Sequence, residues 1–373
     1  MREGVITFQG EEYKIQNIRY KIQNMSVGSK KNLVSQTHTA PSLIGRAGGE
    51  SVLFFFILLT MFSCTGKTKQ GGTADTIALA PAPTFVADSA MAYIQAQCAF
   101  GPRVPGSAAH EDCAAWIGEK FLLLGAQVAE QYTTLNGYDG QPMACRNILA
   151  SLNPEATDRI LITAHWDSRA WADNDPDAAN HHTPVMAAND GASGVAVMLE
   201  MARVIQQTGL SYGIDFVCFD LEDQGTPQWA ESDGESYWCL GSTYWAQLAA
   251  AEGYRARYGI NLDMVGGRGA RFLMEGFSMQ YGRPIVGMVW HLGIQLGFGQ
   301  YFIPKDGGYI TDDHLPVNRI AHIPCIDIIP SVDNAASSFG ETWHTTDDTP
   351  ENIDPEALRA VGQTLLQMIY NDN

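Results

Sequence analysis

From residue 84 onward the chain alternates between helical and strand-like spacing of its apolar positions. Helical spacing covers 86–98 and 109–125 and returns near 193–207, 242–251 and 283–297. Short apolar runs of β type occupy 147–152, 159–164, 214–219, 258–264, 271–275 and 324–329. Strands separated by amphipathic helices predict an α/β domain with a mostly parallel central sheet sandwiched by helices. The last helix has the clearest local signal. Asp354 is its N-cap, Pro355 takes the first helical position, and Leu358, Val361, Leu365 and Ile369 form an apolar stripe. This helix is expected to pack on the sheet and carry no chemistry. The sequence contains no internal repeat.

Upstream the pattern changes. Residues 51–63 read SVLFFFILLTMFS, an apolar run too short to span a bilayer as a helix but suited to a signal-peptide core. Ser63 directly before Cys64, with a polar stretch over 65–73, resembles a bacterial lipoprotein cleavage site with Cys64 as lipid acceptor. An uncleaved anchor is the alternative, and both readings place the protein at a membrane surface. The expected organisation is a leader over 1–63, a lipidated cysteine and flexible tether over 64–83, and one exported domain over 84–373, in the periplasm or at the outer membrane. Residues 1–50 are basic, lack apolar periodicity and carry no fold argument.

Composition narrows the function. A formal charge of -18 on 373 residues excludes nucleic acid as a partner, because phosphate binding draws on clustered Lys and Arg. Some of the acidic residues recur in tight clusters that a solvated surface does not require. Besides Cys64 there are Cys98, Cys113, Cys145, Cys218, Cys239 and Cys325, none at CxxC or CxxH spacing, which argues against a cysteine zinc site. Cys218 and Cys325 lie inside strand-like runs and are expected as buried thiols. Pairing among Cys98, Cys113 and Cys145 stays open.

In open α/β sheets ligands bind beyond the carboxyl ends of the strands, so polar residues just after each apolar run are the candidates. ILITA is followed by His165 and Asp167, FVCFD by Glu222 and Asp223, and INL by Asp263. The 324–329 run and a loop lead to His344, and AANDGASG places Asp190 just before a predicted helix. Two histidines and several carboxylates therefore converge on one sheet edge. His plus carboxylate is a common catalytic zinc set, and a carboxylate beside a ligand can act as general base. Glu222 suits that role, because neighbours on an extended segment point in different directions, so one of Glu222 and Asp223 can bind metal while the other faces substrate. Each residue also has a plain alternative: Asp190 as a helix cap, His165 as a hydrogen-bonded core residue, Asp263 as a turn former, His344 as surface. The joint pattern outweighs those.

At these positions the sequence resembles the zinc aminopeptidase family, which contains bacterial leucyl-type aminopeptidases and animal-type glutaminyl-peptide cyclotransferases. The match runs from about residue 100 to the C-terminus through Gly101-Pro102-Arg103, Ala164-His165-Trp166-Asp167-Ser168, Asn189-Asp190-Gly191-Ala192-Ser193-Gly194, Phe219-Asp220-Leu221-Glu222-Asp223 and Asn261-Leu262-Asp263. Thr311-Asp312-Asp313-His314, Glu341-Thr342-Trp343-His344 and the wide gap between His165 and Asp190 resemble the cyclotransferase branch. That resemblance implies one zinc ion on Asp190, Asp223 and His344, with Glu222 as proton shuttle and Asp263 with Asp312 as a hydrogen-bonded pair. It also implies a substrate pocket walled by Trp343 and His165. Trp229, in the Pro227-Gln228-Trp229 loop, is either a further pocket residue or an exposed loop aromatic. One departure is Asp223, where the animal enzymes carry Glu; Asp is a competent zinc ligand. The implied activity converts the N-terminal glutamine of peptides or proteins to pyroglutamate with release of ammonia. The rival is a two-zinc aminopeptidase, since the same residues supply every ligand type it needs. A third reading is an inactive surface lipoprotein that binds peptide N-termini, although a mere binder has no need of Glu222.

Overall fold

The computed structural model describes residues 5–8, 11–14, 79, 81–331 and 337–373. The chain divides into two units, Met1–Ile77 and Ala78–Asn373. In the first, strands β1 (Val5–Phe8) and β2 (Glu11–Lys14) form an antiparallel pair. The expected signal-peptide core over 51–63, the expected lipid acceptor Cys64 and most of the expected tether lie outside the described residues. Among the described residues, no helix is long and apolar enough to cross a membrane.

The second unit opens with helices α1 (Ala87–Cys98) and α2 (Ala108–Leu123), then strands β3 (Gln127–Asn136), β4 (Pro142–Leu152) and β5 (Arg159–His165). There follow α3 (Ala192–Thr208), β6 (Gly213–Phe219), α4 (Leu240–Glu252), β7 (Gly259–Leu262) and β8 (Phe272–Met274). The chain ends with α5 (Gly276–Tyr281), α6 (Arg283–Gln295), β9 (Phe302–Asp306), α7 (His314–Arg319), β10 (Cys325–Ile328) and α8 (Pro355–Asn371). Six strands form the central sheet in the order β10-β7-β5-β6-β4-β3. The first four run parallel, and β4 and β3 run antiparallel at one edge. The 271–275 run does form a strand, but β8 pairs with β9 in a separate two-stranded sheet.

Both faces of the sheet are covered, as a parallel sheet requires. Ile160, Ile162 and Ala164 of β5 join one apolar core with α1, α2, α3, α6 and α8, while Leu161 points into a second core with Trp245 of α4 and Val317 of α7. This is the period-two alternation of a strand buried on both sides. The expected cap of α8 is present: the Asp354 carboxylate accepts from the Glu356 amide, and the predicted stripe is buried. Cys98, Cys113, Cys145, Cys218, Cys239 and Cys325 are all buried and unpaired with one another, so the cross-link left open by the sequence does not form.

Candidate active site

The sheet delivers the chemistry at its carboxyl edge. His165 is the last residue of β5, Glu222 and Asp223 follow β6, and Asp263 follows β7. Asp190 is set by the turn into α3. There Gly191 adopts φ +103°, and a Cβ on it would sit 2.7 Å from the Asp167 carbonyl oxygen; only glycine enters such a turn without strain. Leu221, Met264 and His344 also carry positive φ (54°, 49° and 54°), one residue before Glu222, one after Asp263, and at His344 itself. Strained backbone held in place by its surroundings is a usual companion of functional sites.

Asp190, Asp223 and His344 meet. His344 Nε2 lies 2.9 Å from Asp223 Oδ1 and 3.5 Å from Asp190 Oδ2, and one ligand atom from each of the three residues falls within 4.8 Å of the others. All three are buried, yet Asp190 Oδ2 and Asp223 Oδ2 have no hydrogen-bond partner. Buried carboxylate oxygens without donors are costly. Two such carboxylates beside one imidazole nitrogen make a donor set that fits a zinc ion.

His165 sits behind this group. Its Nε2 is 3.0 Å from Asp190 Oδ1 and 3.3 Å from Asp263 Oδ1, and its Nδ1 is 3.3 Å from Asp167 Oδ1. Burial pushes the ring towards neutrality, but Asp167, Asp190 and Asp263 outweigh it and raise its pKa well above the ordinary value. Asp167 also accepts from the amides of Glu222 and Asp223 and from the Gln224 side chain, which fixes the acidic pair on the strand end. Asp348 does the same for Asp190: its two oxygens accept from the Asn189 and Asp190 amides at 2.7 and 3.0 Å.

Glu222 lines a cavity of ≈ 200 Å³ together with Asp190, Asp223, Asp263, Asp312 and His344. Burial, then the charges of Asp223, Asp313 and Asp312, push the Glu222 carboxyl well above its usual range against the opposing pull of His165. Asp263 is raised to about 8, chiefly by burial and next by Asp312. The expected Asp263–Asp312 pair takes a looser form. Both acids line the cavity, but the oxygens of Asp312 accept from Asn261 Nδ2 and the Asp313 amide.

The aromatic wall differs from expectation. Trp343 stacks on His344 with ring centroids 3.9 Å apart, as expected for a wall residue. Trp229 does not reach the cavity. It is 43% exposed and packs edge-on against Trp171 and over His182. The other tryptophan of that loop, Trp238, takes the place instead, parallel to His344 at 5.8 Å. Chain connectivity gives the reason: the amides of Cys239 and Leu240 donate to the carbonyls of Glu222 and Leu221, which draws Trp238 to the acidic pair. Gly225 makes room, since a Cβ there would lie 1.9 Å from the Trp238 ring. His165 is likewise no pocket residue; it is 1% exposed and screened from the cavity by the carboxylates it holds.

Residues 147–369 match the model of Peptidase family M28. Among curated relatives, the chain is 27% identical over 226 residues to aminopeptidase YwaD of Bacillus subtilis (58% of this chain, 42% of that protein). It is 28% identical over 249 residues to the glutaminyl-peptide cyclotransferase of Gloydius blomhoffii (59% of this chain, 63% of that protein). The chain thus spans less than two thirds of the length of these relatives. Among solved structures, the glutaminyl cyclase of Bacteroides thetaiotaomicron bound to N-acetylhistamine superposes with a TM-score of 0.77 at 47% identity, over 79% of this chain and 100% of that one. The fold, the motif residues and these likenesses agree: the chain belongs to peptidase family M28.

Proposed function

We propose that this protein is a zinc-dependent glutaminyl-peptide cyclotransferase that converts N-terminal glutamine of peptides to pyroglutamate and releases ammonia. The observation that carries the reading is the convergence of Asp190, Asp223 and His344, with unpartnered buried oxygens, beside Glu222 in one aromatic-walled cavity. Its likeness at 47% identity to a structure named as a glutaminyl cyclase supports it. A zinc ion held by these three residues supplies Lewis acidity towards a carbonyl oxygen.

The chain's own residues do the rest. At ≈ 200 Å³ the cavity is smaller than the ~300–1,000 Å³ of common ligand pockets, which suits the terminal residue of a peptide. Trp343 and Trp238 confine that residue so that its α-amine faces its own side-chain amide carbon, and ring closure becomes a matter of positioning. Glu222 takes a proton from the attacking α-amine as the new C–N bond forms. It returns that proton to the departing nitrogen as the old C–N bond breaks, and ammonia leaves. A carboxyl raised by burial holds a proton more readily than a free one, which suits this two-way transfer.

A second reading has one observation in its favour. His165, Asp190 and Asp263 form another group whose ligand atoms lie within 4.8 Å of one another, with Asp190 common to both, as a two-zinc aminopeptidase requires. Incubation of the purified protein with a Gln-initiated peptide separates the two. The cyclotransferase gives loss of ammonia with one tightly held zinc per chain; release of a free amino acid with two zinc ions per chain refutes it.

A further inference from the structure

The wide gap between His165 and Asp190 holds a buried ion pair that the mechanism above does not use. Arg169 and Asp173 are 1% and 2% exposed. Arg169 donates from Nε to Asp173 Oδ1 at 2.7 Å and from Nη2 to Asp173 Oδ2 at 2.6 Å, a two-point clasp. Such a pair, taken wholly out of water, is weak as a stabilising device, because desolvation cancels most of the attraction. Its contacts point elsewhere.

Several of the pair's remaining contacts reach the candidate metal centre or its wall, while the guanidinium also lies 5.5 Å from the Trp171 ring. Arg169 Nη1 donates to the carbonyl of Asp223 at 3.0 Å and to that of Gly225 at 3.3 Å. The guanidinium lies 4.7 Å from the Trp238 ring, on which His344 stacks in turn. Asp173 Oδ1 stands 3.6 Å from His344 Nδ1, while the opposite nitrogen of that ring faces Asp223 and Asp190. This separation is too long for a hydrogen bond, but a carboxylate there favours the ring form with its proton on Nδ1. Nε2 then keeps its lone pair for a metal. Asp173 also accepts from the Gln228 amide, and the neighbouring Asn174 donates from its backbone and side chain to the carbonyls of His344 and Trp343.

We propose that Arg169 and Asp173 are positioning residues, acting as one unit that sets the His344 ring, the Asp223 backbone and the Trp238 wall together. The inference rests on Asp190, Asp223 and His344 being the metal ligands. The alternative is a plain staple of the 166–191 loop, which affects stability and nothing else.

The experiment measures zinc affinity by chelator competition, and melting temperature with and without zinc, on the purified chain. The variants are Asp173→Asn, the double variant Arg169→Met with Asp173→Leu, and His344→Ala. Asp173→Asn is expected to weaken zinc binding about 10- to 100-fold, as removal of a carboxylate behind a ligating histidine does. The double variant removes both halves of the clasp at once, so neither Arg169 nor Asp173 is left stranded without the other, and its zinc-free form is expected to stay folded even where the single variant does not; it is expected to show the same loss of affinity. A lowered melting temperature with wild-type zinc affinity in both overturns the proposal and leaves the staple. Wild-type zinc affinity in His344→Ala defeats the ligand assignment itself, and this inference falls with it.

Discussion

The two ends of strand β5 lie about 20 Å apart at ~3.3 Å per residue, and they handle buried charge in opposite ways. At the amino end, Arg159 clasps Asp215 of β6 through two hydrogen bonds of 2.6 Å, and its third nitrogen donates to the carbonyls of Asn153 and Ala156. Asp215 also accepts from Ser151 and Tyr254. Its two oxygens are fully served. At the carboxyl end, His165 faces Asp167, Asp190 and Asp263, and beyond those contacts Asp190 Oδ2 and Asp223 Oδ2 have no donor. The first arrangement is complete without help and can only hold the sheet together. The second carries an excess of acids that a cation completes, and such an imbalance marks a place where something binds.

Three experiments break or sharpen this contrast. The largest effect is expected from Glu222→Gln, which should lower kcat by about 10²–10⁴-fold, the usual worth of a general acid-base. Zinc content should be unchanged and the melting temperature no lower, since a buried acid leaves a crowded rim. Turnover near the wild-type rate would remove Glu222 from the mechanism. At the other end of the strand, Arg159→Ala strands Asp215 without its partner and should cost about 3–5 kcal/mol of stability. Denaturant unfolding reads that loss, while kcat of the folded fraction holds. An equal fall in kcat would show that the two ends are not independent.

The smallest effect concerns an acid at the carboxyl side that is well served. Glu275 accepts from the amides of Phe277, Ser278 and Ile310 and from the Ser278 hydroxyl. Burial pushes its carboxyl up, but His314 and those amides prevail and hold it at about 2. The unfolded side chain titrates near ~4.3. Its stabilising share is therefore whole above that pH and is lost as pH falls towards 2. Between about pH 6 and about pH 3, Glu275→Gln should lose less melting temperature than the wild type by about 2–4 °C. Identical acid limbs would mean that the contacts of Glu275 do not select its ionised form.

Legibility in the sequence followed local pattern. β5 and β6 are short continuous apolar runs, and α8 announces itself by its cap and stripe, so their places were readable. β3 was not: as an edge strand it is half-exposed along most of its length and reads QVAEQYTTLN, without clean alternation. The residues directly after strand ends, Glu222, Asp223 and Asp263, were readable because sheet topology alone brings them together. Trp238, Asp348, Arg169 and Asp173 were not, because loops without period place them. Trp229 and Trp238 are indistinguishable as letters. Only the hydrogen bonds from Cys239 and Leu240 back to the acidic segment decide which of the two folds inward.

The six described cysteines are buried as separate thiols, and burial keeps those of Cys98 and Cys113 at about 11 and about 12, far from their reactive thiolate form. No disulfide among the described cysteines has to form for this domain to reach its native state. A bacterial host with an ordinary glutathione-rich cytosol can therefore manufacture it, and a reducing agent that does not bind zinc should leave its fold intact in storage.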